Sequence, residues 1–394
     1  MSVTTFRSSL LGPQERGEEF GRVFADRIAE TVDGYHELFS LSLGAEADLA
    51  DWGARAVTAI GSFSPAALAE IEGIARGSQQ PVTHLAAINA RTEILAACNR
   101  RRAARADEGA DSTMAPRAGE CSTLVHVDDR SDPIAVQVWD WYDNLADSWL
   151  VWEIPTASGL VTTVTEFGIL GKIGVNTDGI GVLFNILHHA EDGHEVGVPV
   201  HVLARTILDT CTDLNQALLL AAGARVSAST SLTVVATAER ERTDALGQAM
   251  STEGRVRPPH LDTEAVSIEV NPERIGYHLP DAQGVLVHTN HFLGAEAGEA
   301  DEELLAGPDT VVRYAGIHRR AHRRLEAKGA LTVRDAIAAM DSHVLGGGGS
   351  CCHPDAGRPD TPQFASLATI SLDIAAGTLT AHAGGPCTHP LLAG

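Results

Sequence analysis

Lysine is almost absent from this chain, and basic residues of both kinds are few. Lys172 and Lys328 are the two lysines among 29 basic residues, which face 52 acidic residues and leave a formal net charge of −23. A nucleic-acid partner needs clustered lysine and arginine to neutralise phosphates, so this composition excludes such a partner. The preference for arginine over lysine indicates a codon bias rather than a chemical role.

Long apolar runs, secretory signals and cysteine-rich patterns are also missing. No segment approaches the ~18 uninterrupted apolar residues of a membrane span, and no apolar signal core follows Met1–Arg7. Six cysteines in 394 residues, without repeated spacing, are too few for a disulfide scaffold, so we expect reduced thiols. There is no glycine fingerprint for phosphate binding and no internal repeat. The sequence predicts a cytoplasmic protein with no membrane contact and no cofactor.

The first hundred residues show helical periodicity. Apolar residues from Glu18 to Phe39 recur at three- and four-residue steps and predict one amphipathic helix. Capping and stop signals predict a second helix from Ser64 to Gly77 and a third from Thr83 to about Cys98. The charged, aperiodic stretch from Arg101 to Ala118 predicts an exposed linker.

Beyond Cys121 the apolar period changes to two and predicts strands. Four segments predict a meander: Leu124 to Val127, Ile134 to Trp139, Trp149 to Ile154 and Leu160 to Thr165. Asp178-Gly179 predicts a hairpin between Ile173–Asn176 and Ile180–Asn185. Further helices are predicted at 199–208, 214–220, 309–328 and from Thr332, and further strands at 231–236, 265–270, 285–288, 367–374 and 378–383. This order predicts an α+β fold of sheet layers between helices.

Cys121 lies where the two halves meet, and we interpret it as the candidate nucleophile. A thiol is partly thiolate at neutral pH, and a nearby base increases that fraction. A cysteine is more often a small buried core residue. Its place after the linker, at the start of the first strand and before two hydroxyl residues, favours catalysis and a position facing a cleft.

Asp140 is a carboxylate between two indoles, Trp139 and Trp141. Burial beside tryptophan would raise its pKa unless a cation or hydrogen-bond donor compensates, so a partner is implied. The alternative interpretation is a strand-end aspartate that caps a turn.

The segment His288-Thr289-Asn290-His291 ends a predicted strand. Asn290 is the kind of amide donor that can stabilise an oxyanion. Two histidines at this spacing could bind a metal, but no carboxylate cluster adjoins them, so we predict no metal site. The vicinal pair Cys351-Cys352 lies in a glycine-rich segment that lacks the second Cys/His pair of a zinc site, and we interpret it as a loop near a cleft.

Several segments together carry a family resemblance. They are, in order, Arg91-Thr92-Glu93, Gly119 to Thr123, Trp139-Asp140-Trp141, Thr165 to Asn176, Asn185, Gly197-Val198-Pro199, His288 to His291 and Gly384-Gly385-Pro386. In residues, order and spacing, they resemble the acyl-coenzyme A:6-aminopenicillanic acid acyltransferase family of N-terminal nucleophile hydrolases. One position departs from the family, because Cys352 stands where many members carry an arginine before the His-Pro pair.

The resemblance implies a four-layer αββα sandwich, in agreement with the element order. It also implies a precursor that cuts itself at the Glu120–Cys121 bond. Residues 1–120 would then form a helical α chain with its linker, and residues 121–394 a β chain of sheets and helices, the two making one αββα domain and an αβ heterodimer.

The resemblance further implies a role for each site residue. Cys121 would attack through its thiol, its freed α-amino group would act as general base, Asp140 would hold that group, and Asn290 would donate to the oxyanion. An α-amino group has a reference pKa of about 7.7–8.0, so it can accept the thiol proton without a histidine. Trp139, Glu166 and Asn185 are expected to line the substrate pocket.

The sequence thus predicts a self-processing cysteine amidohydrolase or acyltransferase. It would cleave or exchange the amide bond of a small acylated compound or a peptide-like substrate through an acyl-enzyme on Cys121. Whether water or an amine accepts the acyl group stays open. Two alternatives also stay open: an unprocessed thiol hydrolase that pairs Cys121 with His288 or His291, and a non-catalytic ligand-binding relative.

Overall fold

The amino-terminal part of the chain is a helical layer. The computed structural model describes residues 3–107, 121–128, 131–157, 159–239, 261–345, 349–355, 357 and 362–393. After a short strand, β1 (Thr5–Arg7), six helices follow: α1 (Pro13–Val23), α2 (Ala25–Leu43), α3 (Leu49–Phe63), α4 (Pro65–Ser78), α5 (Val82–Asn89) and α6 (Arg91–Asp107). Ser64 caps α4 by accepting a hydrogen bond from the backbone of Ala67, as its sequence predicts.

The single helix predicted from Glu18 to Phe39 is wrong. The helix is interrupted at Phe24, where φ is −118° and ψ is 28°, so α1 and α2 are separate helices. The Phe24 ring packs against Phe6, Phe20 and Phe167 at centroid distances of 5.2, 5.0 and 5.0 Å. These rings come from four elements or loops, so a local periodicity does not reveal the break.

Three other expectations for this region also change. Helix α3 was not predicted, although Asp48 caps it by accepting from the backbone of Ala50 and Asp51. Thr83 is no cap, because Pro81 precedes the first turn of α5, and the single helix predicted from Thr83 to about Cys98 is two helices, α5 and α6, separated at Ala90. Helix α6 continues to Asp107, so the first seven residues of the predicted linker are helical. The rest of that linker lies outside the described residues.

The remainder of the chain alternates groups of strands with groups of two or three helices. The strands are β2 (Ser122–Asp128), β3 (Ser131–Tyr142), β4 (Trp149–Pro155), β5 (Leu160–Glu166), β6 (Ile173–Asn176), β7 (Ile180–Ile186), β8 (Thr230–Glu239), β9 (Leu261–Val270), β10 (Ile275–His278), β11 (Val285–His288), β12 (Phe364–Asp373) and β13 (Thr378–Ala383). The helices are α7 (Val200–Thr210), α8 (Leu214–Gly223), α9 (Glu303–Ala306), α10 (Asp309–Lys328) and α11 (Val333–Met340).

Two sheets form the centre of the fold. One has the order β1-β4-β5-β6-β7-β8-β9-β10 and the other the order β11-β2-β3-β12-β13. The predicted meander is therefore wrong: β2 and β3 belong to the second sheet, whereas β4 and β5 belong to the first. A single turn of 3-10 helix, Asp143–Leu145, carries the chain from one sheet to the other.

The two sheets face each other and helices cover both outer faces. Strands β2 and β13 of the smaller sheet contact β7 and β5 of the larger one. Helices α7 and α8 pack on the larger sheet, and α10 and α11 on the smaller. This arrangement is an αββα sandwich, which confirms the predicted α+β class and its four layers. The division into chains at residue 120 stays a prediction.

Among the sequence signals, those for turns and helix caps predicted the structure most accurately. In the hairpin between β6 and β7, Gly179 has φ of +87°, and a Cβ there would lie 2.5 Å from the carbonyl oxygen of Thr237. The helix predicted from Thr332 is α11, and Thr332 and Asp335 form a capping box at its start. Throughout the described ranges, no helix combines the length and apolar content that a bilayer crossing requires.

Candidate active site

Cys121 lies immediately before β2, between the two sheets. Its side chain is 2% exposed rather than facing an open cleft, and its thiol donates to the carbonyl oxygen of Asp140 at 3.8 Å. Burial, with the nearby carboxylate of Asp140, raises the pKa of the Cys121 thiol to about 11. The thiol is therefore protonated at neutral pH, and a nucleophilic role requires a base.

Two side chains hold the backbone of Cys121 in place. Its carbonyl oxygen accepts from Asn185 Nδ2 at 3.0 Å and from Arg313 Nη1 at 3.2 Å. Asn185, on β7, also accepts from the hydroxyl of Thr123 on β2 at 2.7 Å, so it joins the two sheets beside the thiol. Asn185 was predicted to line the substrate pocket, and it is fully buried against the backbone of Cys121.

Asp140 is fully buried within β3, two residues before its end, so it is not the turn cap of the alternative interpretation. Ser366, its partner across the sheet on β12, donates its hydroxyl to Asp140 Oδ1 at 2.5 Å. The same hydroxyl accepts from the backbone N–H of Cys352 at 2.9 Å. Ser366 thereby connects Asp140 to the loop that carries Cys351 and Cys352.

Asn290 follows β11 and is oriented at both ends of its amide. Its Oδ1 accepts from Arg313 Nη2 at 3.0 Å, and its Nδ2 donates to the carbonyl oxygen of Ile186 at 2.9 Å. An amide nitrogen carries two hydrogens, so the second one can serve another acceptor. The guanidinium of Arg313 consequently bridges the Asn290 amide and the Cys121 carbonyl.

Arg313 was not singled out from the sequence. It lies on α10, where Asp309 accepts from its Nε at 2.9 Å, and its side chain is 1% exposed. Helix α10 carries several other arginines, and the sequence contains no local signal that separates the buried one from them. The packing of α10 on the smaller sheet makes that distinction.

Lys172, Glu166 and Trp139 form a buried group beside the thiol. The Lys172 ammonium lies 3.7 Å from the centroid of the Trp139 ring and forms an ion pair with Glu166. Glu166 also accepts from the hydroxyl of Tyr35 and lies 3.5 Å from Arg91 Nε. Glu166 and Trp139, predicted as pocket residues, are thus part of a charged cluster within the core.

The surroundings of Glu166 and Lys172 change the pKa of both groups. Burial alone would raise the pKa of Glu166, but the charges of Lys172 and Arg91 outweigh it and hold the pKa below its ordinary value. Burial and the like charge of Arg91 lower the pKa of Lys172 to about 7, against the opposite pull of Glu166. The charge of Lys172 in turn lowers the pKa of the Cys121 thiol.

Lys172 could have been found from composition. In a chain that uses arginine almost everywhere, a lysine marks a position where a permanently charged, planar guanidinium does not suit. A buried lysine is the cation whose proton can leave near neutral pH, because the ammonium is readily destabilised by burial. Lys172 is such a group, whereas Lys328 is exposed at the end of α10.

Both histidines of the alternative interpretations have other partners. His288 contacts Glu269 Oε1 through Nε2 and the carbonyl oxygen of Thr289 through Nδ1, both at 2.8 Å. His291 Nδ1 lies 3.0 Å from the hydroxyl of Thr310, and burial, with the nearby charge of His288, lowers its pKa to about 4. These contacts disfavour a pair of Cys121 with either ring. Glu120, predicted to precede the scissile bond, lies outside the described residues.

Comparison with known sequences gives a family. The family model described as acyl-coenzyme A:6-aminopenicillanic acid acyl-transferase matches residues 127–386. A curated relative, the 40 kDa form of acyl-coenzyme A:6-aminopenicillanic-acid-acyltransferase from Emericella nidulans, is 27% identical over 247 residues. That match spans 62% of this chain and 57% of the relative, which is less than two thirds of the relative's length.

Two solved structures are similar at low identity. Penicillin V acylase from Agrobacterium tumefaciens has a TM-score of 0.42 and 14% identity, covering 67% of this chain and 83% of that one. A mutant conjugated bile acid hydrolase from Clostridium perfringens has a TM-score of 0.40 and 9% identity, covering 69% and 94%. The assignment rests on the family model, which spans more than half of the chain and confirms the resemblance seen in the motifs. This chain belongs to the acyl-coenzyme A:6-aminopenicillanic acid acyltransferase family.

Proposed function

We propose that this protein is a self-processing cysteine amidohydrolase or acyltransferase that acts through an acyl-enzyme on Cys121. The observation that supports this most is the position of Arg313, whose guanidinium contacts both the Cys121 carbonyl and the Asn290 amide. This contact holds the candidate nucleophile and the candidate oxyanion donor in one rigid unit. The curated relative is named for an acyl-coenzyme A and for 6-aminopenicillanic acid, both small molecules, and the substrate proposed here is a small acylated compound or a peptide-like amide.

The reaction has two halves. In the first, the Cys121 sulfur attacks the amide carbon while the base takes the thiol proton, and the Asn290 amide stabilises the oxyanion of the tetrahedral intermediate. The carbon–nitrogen bond then breaks, and the amine leaves with that proton. In the second, water or an amine attacks the thioester carbon and gives a proton to the base, the carbon–sulfur bond breaks, and the Cys121 sulfur leaves and takes up that proton. Hydrolysis and transfer therefore share one acyl-enzyme and differ in the acceptor that reaches it.

The proposed base is the α-amino group that self-cleavage would create at Cys121. A thiol with a pKa of about 11 needs a neighbouring proton acceptor, and an α-amino group with a reference pKa of about 7.7–8.0 is neutral in part at working pH. Asp140, whose charge already acts on the thiol, would stabilise the ammonium that forms after proton transfer.

Trapping the acyl-enzyme tests this function. Wild-type protein incubated with an activated acyl thioester or anilide is expected to gain one acyl mass, located on Cys121 by peptide mapping. Cys98→Ala is a matched control, because burial also raises the pKa of the Cys98 thiol to about 11. The adduct should be retained in Cys98→Ala and lost in Cys121→Ala. An adduct on another thiol, or none in folded protein, would favour the non-catalytic relative.

Replacing the Asp140 carboxylate should impair both processing and turnover. Asp140→Asn is expected to fold, because the amide can still accept from Ser366, yet to lose about 10²-fold or more in rate, since an amide cannot neutralise an ammonium group. Asp143→Asn, in the turn that follows β3, is the matched control. Rates measured by single-turnover acylation decide the matter, and near-wild-type rates for Asp140→Asn would refute the electrostatic role.

In the uncut chain no α-amino group exists at Cys121. For self-cleavage, we therefore assign to Lys172 the role of accepting the proton of the Cys121 thiol. Its pKa of about 7 means that the neutral, basic form predominates as pH rises above 7. The rate of self-cleavage should therefore rise through about pH 7 in wild-type protein and lose this rise in Lys172→Met. Lys328→Met is the control. A Lys172→Met profile identical to that of wild type would exclude this assignment.

A further inference from the structure

Two histidines and one aspartate converge on the outer face of α10, away from Cys121. His318 and His322 are one helical turn apart, so their side chains lie on one face of the helix. Asp281 belongs to the turn between β10 and β11. Its Oδ2 lies 3.0 Å from His318 Nε2 and 2.7 Å from His322 Nε2, and the two ring nitrogens are 3.3 Å apart.

Neighbouring groups orient each of these three side chains. Asp281 Oδ1 accepts from the backbone N–H groups of Gln283 and Val285 at 2.8 and 3.1 Å, which leaves Oδ2 directed at the histidines. His322 Nδ1 contacts the Gln283 side-chain oxygen at 2.8 Å, and the His318 ring stacks on Tyr314 at 5.9 Å. Such secondary contacts are what fix the tautomer and orientation of metal-binding histidines in proteins.

The tautomer of His322 leaves a lone pair in the cluster. A contact with the oxygen of Gln283 places a hydrogen on Nδ1, and a neutral imidazole has one ring hydrogen, so Nε2 carries a lone pair. That lone pair faces Asp281 Oδ2 at 2.7 Å, so a cation between the two atoms, either a proton or a metal ion, makes the contact favourable. A metal ion, unlike a proton, can also bind His318 Nε2, which lies 3.3 Å from His322 Nε2.

A divalent metal ion satisfies all three atoms. Metal–nitrogen bonds of about 2.0–2.1 Å at a tetrahedral angle separate two ligand nitrogens by about 3.3 Å, which is the separation of the two ring nitrogens here. The nitrogen–oxygen distances of 3.0 and 2.7 Å are shorter, so the Asp281 carboxylate would move outward when an ion binds. Two imidazoles with one carboxylate are a ligand set that suits zinc and similar transition metals. The ligands line an open cleft of about 640 Å³ on the surface, so an ion could enter, and a fourth position would face solvent.

We propose that Asp281, His318 and His322 bind a divalent transition-metal ion of the Zn²⁺ class. The ion would join the β10–β11 turn to α10 and so fix the helix that carries Arg313. Its role is that of a structural clamp, because its ligands are not among the residues that contact Cys121. This site is independent of the function proposed above, and either one can fail without the other.

The test uses the full-length protein after removal of metal, titrated with Co²⁺ and followed by visible absorption and thermal unfolding. One equivalent of Co²⁺ should bind with tetrahedral bands and raise the unfolding midpoint by about 3 °C or more. His318→Ala and His322→Ala should abolish these bands. Gln283→Ala removes an orienting contact rather than a ligand, so it should retain one site and weaken affinity by about 10-fold or more.

Two controls separate this site from other histidines of the chain. His194, exposed and 3.0 Å from Glu191, belongs to none of the three-ligand groups among the described residues, and His194→Ala should bind Co²⁺ as wild type does. His353→Ala disrupts a separate exposed group, made with His343 and Cys387, and should also leave the bands unchanged. The proposal would be overturned if wild-type protein bound no stoichiometric Co²⁺ or if His353→Ala lost the site. It would also be overturned if folded His318→Ala kept the site, or if Gln283→Ala bound Co²⁺ with unaltered affinity.

Discussion

Wild-type protein is expected to separate under denaturing conditions into two chains, residues 1–120 and 121–394, while Cys121→Ala remains one chain. The physical reason is the state of the thiol, which is buried and has its pKa raised to about 11. Neither His288 nor His291 is placed to accept its proton, since the rings are held by Glu269 and by Thr310. Cleavage before Cys121 would supply an α-amino base in place of the imidazoles of His288 and His291.

Intact mass spectrometry after expression decides this prediction, because it gives both the number of chains and the bond that is cut. Cys98→Ala, which removes another buried thiol, should be cut as wild type is. Protein that is fully active and uncut, or cut at a bond other than Glu120–Cys121, would remove the α-amino base from the mechanism. An active uncut chain would favour the unprocessed thiol hydrolase.

Asn290→Ala is expected to lower the chemical rate by about 10²–10³-fold, or roughly 2.7–4 kcal/mol, with little change in substrate binding. The amide is already oriented by Arg313 and Ile186, so its second Nδ2 hydrogen can be directed at a developing oxyanion without reorganisation. An interaction made in the transition state alone changes kcat and kcat/KM together and leaves KM unaltered.

Asn271→Ala is the matched control for Asn290→Ala. Asn271 is also a buried amide, but it closes a turn by accepting from the backbone of Glu273 and Arg274. Its loss should lower the unfolding midpoint and leave the rate constants near those of wild type. A mild effect of Asn290→Ala, combined with inactivation by His288→Ala and by chelators, would instead support a metal at His288 and His291. Chelation at the α10 site should change stability and not the chemical rate.

Much of the fold could be predicted from the sequence because its signals are local. The Asp178-Gly179 turn, the Ser64 cap and the Thr332 capping box each depend on residues at most four positions apart. The alternation of apolar residues identified β5, β7 and β12 for the same reason. Where a distant contact intervened, as at Phe24, the same periodicity predicted one helix instead of two.

The sequence by itself determined most of the helices and strands, although not β1, α3, β10 or α9. It also determined the α+β class and the motif residues Cys121, Asp140 and Asn290 on which the family resemblance rests. Tertiary structure alone decided which sheet each strand joined, that Cys121 is buried, and that Arg313 and Lys172 lie beside it. The reason is distance along the chain: Arg313 reaches Cys121 across 192 residues, and Ser366 reaches Asp140 across 226. Packing of α10 and pairing of β12 with β3 create these contacts, and a local pattern contains no information about either.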